Sequence, residues 1–360
     1  MKICFVAPRY HTNQHFWVKA LQGADYDVTF LVSYKAEVAE HYEFLTPTVV
    51  PTATSFVSKL LTNLTSKRVP SLTWLQKYFS TEKPDVVIIR DASNLLSLAT
   101  FLVCKRLRIK TILYSQHPLE DKPKLHIRLL QSFGIVPYTR ITPIRKNKEL
   151  TEYGPAHYVP LITDFVYNIS SRTYDDQSLR ILFVGKFDLP RKNHLLMLEA
   201  LLATRRAGHD IHLTMLGWSN KTEPVWHQVQ ALMDEHQLHD AVTIRNNVAF
   251  ADMPAVYQEH DLFVLPSTNE PFSITPLEAM SFGVPAVITN QNGAQYCLTN
   301  NADSVIIAAN DQAALTSVLC RIAADRNQLQ NLSQNAYETI KQQHTSSNFL
   351  TLLHAVLNQN

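Results

Sequence analysis

The chain has 360 residues, 46% hydrophobic and 18% charged, with a formal net charge of +2. That length predicts two domains, each able to bury its own core, and that balance suits a soluble globular protein. No apolar run approaches the roughly 18 residues of a membrane helix, the opening MKICFVAPRY breaks too early at Pro8 for a signal peptide, and four scattered cysteines with no CxxC pair argue for buried thiols in a reducing, cytoplasmic compartment.

The small net charge hides an asymmetry. Residues 1–165 hold 21 Lys and Arg against 13 Asp and Glu, a charge of +8, and the remainder carries −6. A basic half predicts a polyanionic partner. Nucleic acid is excluded as that partner, because no helix-turn-helix, zinc-finger, RRM or KH pattern is present. An anionic membrane surface or an anionic acceptor remains.

In chain order, Lys2 to Ala7 is a short apolar run that predicts a buried strand, followed by the polar loop PRYHTNQHF with His11, Asn13, Gln14 and His15. Asp27 to Val32 predicts a second strand. Between Phe56 and Phe79, Phe56, Leu60, Leu61 and Leu64 fall at helical spacing near Lys59, Lys67 and Arg68. That pattern fits a core-packing helix broken at Pro70, or an amphipathic surface for lipid or acceptor. Strands are expected over 84–89 and over 110–114, the latter ending in Ser115-Gln116-His117-Pro118. Residues 101–148 hold eleven Lys and Arg against Glu120 and Asp121, either a solvated face or a docking surface for anionic lipid. A polar stretch from Asn168 to Ser178 predicts a linker.

The second half opens on a strand, Leu179 to Val184, then the loop Gly185-Lys186-Phe187-Asp188-Leu189-Pro190-Arg191-Lys192-Asn193 and a Leu-rich helix. Ile211 to Leu216 and Val242 to Arg245 predict further strands, ending at Gly217-Trp218 and at Asn246 to Ala249. The stretch Asp261 to Gly293 carries a strand at 262–265 and a Pro-rich loop. A helix then begins at Thr275-Pro276-Leu277-Glu278, with Thr275 as N-cap and Glu278 three residues on, and a strand follows over 284–288. Glu278 therefore has a plain reading as a capping-box glutamate, Glu270 as a solvated loop carboxylate, and Arg191-Lys192 as an exposed turn. Two last helices, over 312–326 and 329–343, precede an apolar segment over 348–357.

Glu270, seven residues, Glu278 and AMSFGVPAV together resemble the E-x7-E segment of the retaining, nucleotide-sugar-dependent glycosyltransferases of family four. The loop from Gly185 to Asn193 resembles that family's basic G-R…K-G loop, with Lys186 for the usual Arg and Asn193 for the usual Gly. The resemblance implies an α/β GT-B fold: two Rossmann-like doubly wound domains facing a cleft, with the last helix crossing back to the first domain. The expected division is 1–168, acceptor side; 169–343, donor binding; and 344–360, the returning helix.

It also implies roles. Glu270 and His117 would flank the transferred sugar, and Lys192 would stabilise the leaving diphosphate. Lys186, Arg191, Phe272, Ser273, Ile274, Thr275, Glu278, Gly217 and Asn246 would contact the donor, Glu278 at the ribose and the 272–275 amides at the diphosphate. Two cations from one strand-to-helix loop suit a leaving group that gains negative charge. The donor is a substrate rather than a cofactor, and no metal is expected. The acceptor would be a hydroxyl of a glycan or lipid-linked molecule, in cell-surface polysaccharide or glycolipid synthesis on the inner face of the membrane. Departures from the family pattern are the glycine-free first loop, Lys186, Asn193, Ser273 and Gln295 after the turn Asn292-Gly293. They leave open a catalytically silent binding subunit, and the fold leaves open an epimerase or a phosphorylase.

Overall fold

The computed structural model describes residues 1–359 apart from 36–44, 55–67, 166, 168, 170–173 and 175–177. The expected helix over 56–64 and most of the expected linker lie outside the described residues. The chain divides into two units, Met1–Leu161 with Ser346–Asn360, and Ile162–Thr345. The first unit thus ends at Leu161, where the sequence suggests a boundary at residue 168.

The first unit is built on β1 (Lys2–Ala7), β2 (Asp27–Val32), β3 (Thr48–Val49), β4 (Val86–Arg90), β5 (Lys110–Tyr114), β6 (Arg140–Thr142), β7 (Glu152–Tyr153) and β8 (Ala156–Tyr158). They form one sheet in the order β3-β2-β1-β4-β5-β6-β8-β7. Every pairing is parallel except that of β7 with β8. Central strands of a parallel sheet are covered on both faces and so read as unbroken apolar runs; Ile3 to Ala7 and Val86 to Ile89 are buried throughout. Leu75 and Phe79 from the helix Leu72–Glu82 pack with Phe101 and Cys104 from the helix Leu95–Leu107 on one face. The helix Ser346–Leu357 belongs to this unit: Phe349 stacks on Trp17 at 5.2 Å, the Tyr26 hydroxyl lies 2.6 Å from His354 Nε2, and Lys110 Nζ donates to the Leu357 carbonyl at 2.9 Å.

The second unit carries β9 (Leu179–Val184), β10 (Ile211–Gly217), β11 (Val242–Asn246), β12 (Leu262–Leu265), β13 (Ala286–Thr289) and β14 (Ser304–Ile307), all parallel, in the order β11-β10-β9-β12-β13-β14. β13 starts two residues later than its sequence suggests, because Gly283 ends the preceding helix at φ 69° and Pro285 has no N–H for the ladder; its carbonyl accepts from Phe263 N at 3.0 Å instead. The order reverses direction between β9 and β12, the first and fourth strands of this sheet in sequence. At such a switch point the loops at the strands' carboxyl ends diverge and leave a crevice. The starts of these two strands are tied by Asp261, which accepts from Arg180 N at 3.0 Å and from its Nη2 at 2.6 Å.

Candidate active site

The loops leaving β9 and β12 meet at a buried carboxylate. Lys192 Nζ lies 2.9 Å from Glu270 Oε2, and Arg191 Nε lies 3.3 Å from the same oxygen. Glu270 is only 6% exposed and Lys192 only 9%, so neither is a solvated loop residue. The backbone joins the same loops: Thr268 N donates to the Arg191 carbonyl at 2.8 Å, and Asn193 Nδ2 to the Pro266 carbonyl at 3.2 Å. Glu270 is further fixed on its other side, where its amide donates to the Gln291 carbonyl at 3.0 Å and its carbonyl accepts from Gly293 N at 2.9 Å. Two cations against one carboxylate leave this cluster a net positive charge. Lys186 is half-buried in the same loop. The arrangement suits a bound anion.

Glu278 is not a helix cap. The helix Thr275–Ser281 has Ile274 at its N-cap with no side-chain cap bond, and Thr275 is already helical. The Glu278 carboxylate instead points inward, 4% exposed, and accepts from the Tyr257 hydroxyl at 2.7 Å. Burial pushes its pKa up to about 7, with the Tyr257 bond partly opposing the shift. The same burial holds the Tyr257 phenol well above its ordinary range. Tyr257 comes from the short helix Met253–Gln258 just before β12, stacked on Phe282 at 5.5 Å.

The segment between the two glutamates is also buried: Phe272, Ser273 and Ile274 are each less than 7% exposed. The Ser273 amide lies 3.4 Å from Asn292 Oδ1, which also accepts from Ala294 N at 3.1 Å. Ser273 Oγ sits 3.0 Å from Thr275 Oγ1. Asn292, fully buried, thus orders the loop from behind.

Two of the residues the resemblance assigns to donor contact have structural partners. A Cβ on Gly217 would stand 2.0 Å from the Gly185 carbonyl oxygen, so glycine is needed there for the close approach of β10 to the loop after β9. Asn246 uses both ends of its amide on Ser219, accepting from the Ser219 amide at 2.9 Å and donating to its carbonyl at 2.8 Å. It braces the loop after β10. His194, which opens the helix His194–Arg206, lies 3.1 Å by Nε2 from the Gly185 carbonyl and stacks on Phe187 at 4.5 Å. Burial lowers its pKa to about 4, so it is neutral at physiological pH.

In the first unit, His117 follows β5 with an exposed side chain. Its backbone is held firmly. The buried Arg140 guanidinium donates to the carbonyls of His117 at 3.1 Å, Pro118 at 3.1 Å and Leu119 at 2.8 Å, and to Ser115 Oγ at 3.2 Å. Thr142 Oγ1 donates to the His117 carbonyl at 2.7 Å. A fixed backbone presenting an exposed imidazole is not a core histidine. In the loop after β1, Asn13, Gln14 and His15 are each less than 5% exposed, so the polar run there is interior.

Residues 169–339 match the family model of the group 1 glycosyl transferases. This stretch belongs to that family. Mannosylfructose-phosphate synthase from Agrobacterium fabrum is 30% identical over 169 residues, covering 42% of this chain and 37% of the relative, so the chain spans little more than a third of that protein. Among solved structures, a glycosyltransferase from Rickettsia africae superposes with a TM-score of 0.75 at 15% identity over 100% of this chain and 99% of that one. Anabaena HepE in complex with UDP-glucose superposes with a TM-score of 0.74 at 13% identity over 100% of both chains. The fold is therefore GT-B, as the doubled strand–helix alternation and the two motifs imply.

Within this glycosyl transferase stretch, the departures from the family pattern have local explanations. Asn193 takes the place of glycine in the left-handed region at φ 65°, a conformation asparagine tolerates. Its Nδ2 adds the bonds to Pro266 and to Asn310 Oδ1, the latter at 3.1 Å. Ser273 has no positive φ, so its backbone does not require glycine. The partner residues, Tyr257, Asn292 and His194 in the second unit and Arg140 in the first, fall outside the two motifs; of these only Asn292, in the turn Asn292-Gly293, has a turn signal in the sequence.

Proposed function

We propose that this chain is a retaining glycosyltransferase that moves a sugar from a nucleotide sugar, a UDP-sugar in our reading, to a hydroxyl of a glycan or lipid-linked acceptor. The observation that carries the proposal is the Lys192–Glu270–Arg191 cluster at the switch point of the second sheet, with the buried Glu278 at the start of the helix that follows β12. Lys192, with Arg191 and Lys186, faces the diphosphate; Glu278 accepts from the ribose hydroxyls; the 272–275 segment lies along the phosphates. Gly217 and Asn246 shape the neighbouring loop. Glu270 takes the sugar side, and His117 is the first unit's candidate for it.

In the reaction, the bond from the sugar's anomeric carbon to the donor phosphate breaks, and one to the acceptor oxygen forms on the same face. The acceptor proton passes to the departing phosphate oxygen. The charge growing on that oxygen is what Lys192 and Lys186 stabilise. The donor is consumed, and neither cofactor nor metal is required in this reading. The likeness to a structure holding UDP-glucose favours a UDP-sugar over other donors. Cell-surface polysaccharide or glycolipid synthesis at the cytoplasmic side is the setting we infer.

Thermal shift with a panel of nucleoside diphosphates tests the donor, since a ligand bound to the native state raises its melting temperature with saturation. UDP should give the largest rise. Incubation with UDP-sugars should release UDP, and the anomeric proton coupling of the product should match that of the donor. No shift with any nucleotide and no release would make the chain a silent binding subunit. A free epimerised sugar nucleotide would make it an epimerase.

A further inference from the structure

Ten large hydrophobic side chains are exposed among the described residues, and all ten belong to the first unit. Five of them, Leu125, Leu129, Phe133, Tyr138 and Tyr153, lie on or beside the helix Leu125–Ser132. This helix has two apolar faces. Ile127 points into the core, and Gln131 anchors the same side by donating to the Pro137 carbonyl at 3.0 Å. Leu125, Leu129 and Phe133 fall at i, i+4 and i+8 on the other side, 71%, 52% and 70% exposed. Next to them, Leu125, Leu129, Tyr138 and Tyr153 line a cavity of about 580 Å³ that also takes in Lys122 and Arg128. Soluble proteins rarely leave such an apolar run uncovered unless something covers it in use.

The charges around this face decide what does. Of the eleven basic residues between 101 and 148, Arg140 is spent on backbone carbonyls, Arg145 stacks on Tyr158 at 3.9 Å, Lys146 pairs with Asp121 at 2.6 Å, and Lys110 holds the carbonyl end of the last helix. Lys105, Arg106, Lys122, Lys124 and Arg128 are exposed and form no ion pair among the described residues. Lys105 is drawn to the apolar face itself, with Nζ donating to the Phe133 carbonyl at 2.8 Å. A second copy of this chain would bring the same positive charges face to face, which is unfavourable. A nucleic acid would have no use for three exposed apolar side chains in a row. Anionic lipid meets both features: headgroups take the cations, and the boundary of the acyl region takes the apolar side chains.

We propose that the helix Leu125–Ser132 and its flanks dock the protein on a membrane of anionic phospholipid, with Leu125, Leu129 and Phe133 entering the interface. This surface is built from residues of the first unit alone, so the proposal holds whether or not the donor assignments do.

The test is flotation of the full chain with vesicles of phosphatidylcholine alone or mixed with phosphatidylglycerol. The wild type should float with the mixed vesicles, and raised salt should weaken but not abolish the binding. Leu129→Glu with Phe133→Glu should lower partitioning about tenfold. Lys124→Gln with Arg128→Gln should lower it at least about fivefold. All four positions are exposed, so melting temperature and UDP release in solution should stay at wild-type values. Equal weak binding to both vesicle types, or wild-type flotation of the Leu129→Glu/Phe133→Glu variant, overturns the proposal. So does a dimer in solution that this variant splits, because the face would then be an interface between copies.

Discussion

The hydroxyl of Tyr257 donates to Glu278 at 2.7 Å inside the second unit, and the carboxyl it meets is held near a pKa of about 7 by burial. A carboxyl raised from 4.5 to about 7 on folding contributes stability that is fully present below pH 4.5 and is lost as the pH rises through about 7. The loss is on the order of 3 kcal/mol. Glu278→Gln removes the titration. Its melting temperature should therefore gain on wild type as the pH goes from about 5 to 9, and parallel curves would refute the assignment. UDP should bind more tightly to wild type above pH 7 than below, because the ionised carboxylate is the stronger acceptor for ribose hydroxyls. In the Gln variant that slope should vanish.

Tyr257→Phe leaves the Glu278 carboxyl buried without its donor. We expect a loss of about 1–3 kcal/mol in stability. The Glu278 titration should also move upward, because the lost bond favoured the charged form. Denaturant unfolding at low and high pH measures both, and a destabilisation independent of pH would mean that the hydroxyl does not act through the Glu278 titration.

Lys192 serves two partners in this reading. Lys192→Ala should lower turnover by roughly 10²–10³, the usual cost of one lost stabiliser of developing charge. It should also destabilise the protein by about 3 kcal/mol, because Glu270 keeps only Arg191, at 3.3 Å. Adding Glu270→Gln should restore much of the stability and none of the turnover. A double variant as unstable as the single one would show that the pair is not coupled.

Asn193→Gly should be nearly silent in stability and activity, since the backbone already stands at φ 65°. Asn193→Val should cost about 1–2 kcal/mol, because a β-branched side chain is strained there. Thermal denaturation of the two variants distinguishes backbone strain from loss of the Asn193 side-chain bonds, which both remove.

Arg140 and His117 separate by readout. His117→Ala should leave the melting temperature unchanged and reduce turnover, as its side chain is exposed. Arg140→Met should destabilise the first unit by about 3 kcal/mol or more, since several buried carbonyls lose a charged donor together. Arg140→Lys should fall between, with a point charge in place of a planar fork. If His117→Ala turns over like wild type, the histidine has no part at the sugar.

The strands that the sequence makes legible are those buried on both faces, such as Lys2–Ala7 and Leu262–Leu265, whose apolar runs have no other use. β6, β7 and β8 are two or three residues long and leave no periodicity to read. The meeting of the loops after β9 and β12 is legible because two motifs with fixed spacing fall at the ends of neighbouring strands. Their partners are not. Tyr257 meets Glu278 across 21 residues and Arg140 meets the His117 loop across 23, and only the folded sheet brings either pair together. The capping-box reading of Glu278 fails for a related reason: a local pattern cannot reveal that Ile274 takes the cap and the carboxylate turns inward.

The first unit is discontinuous in sequence, and this sets an order of events during synthesis. Trp17 stacks on Phe349, and β5 is tied through Lys110 to the carbonyl of Leu357. A ribosome delivers these partners more than 240 residues after the elements they cover. The contiguous second unit, 162–345, is complete before the helix that closes the first one has been made. The half of the chain made first is thus the half finished last. Until then it keeps the flank of Trp17 bare, the surface a chaperone would be expected to hold.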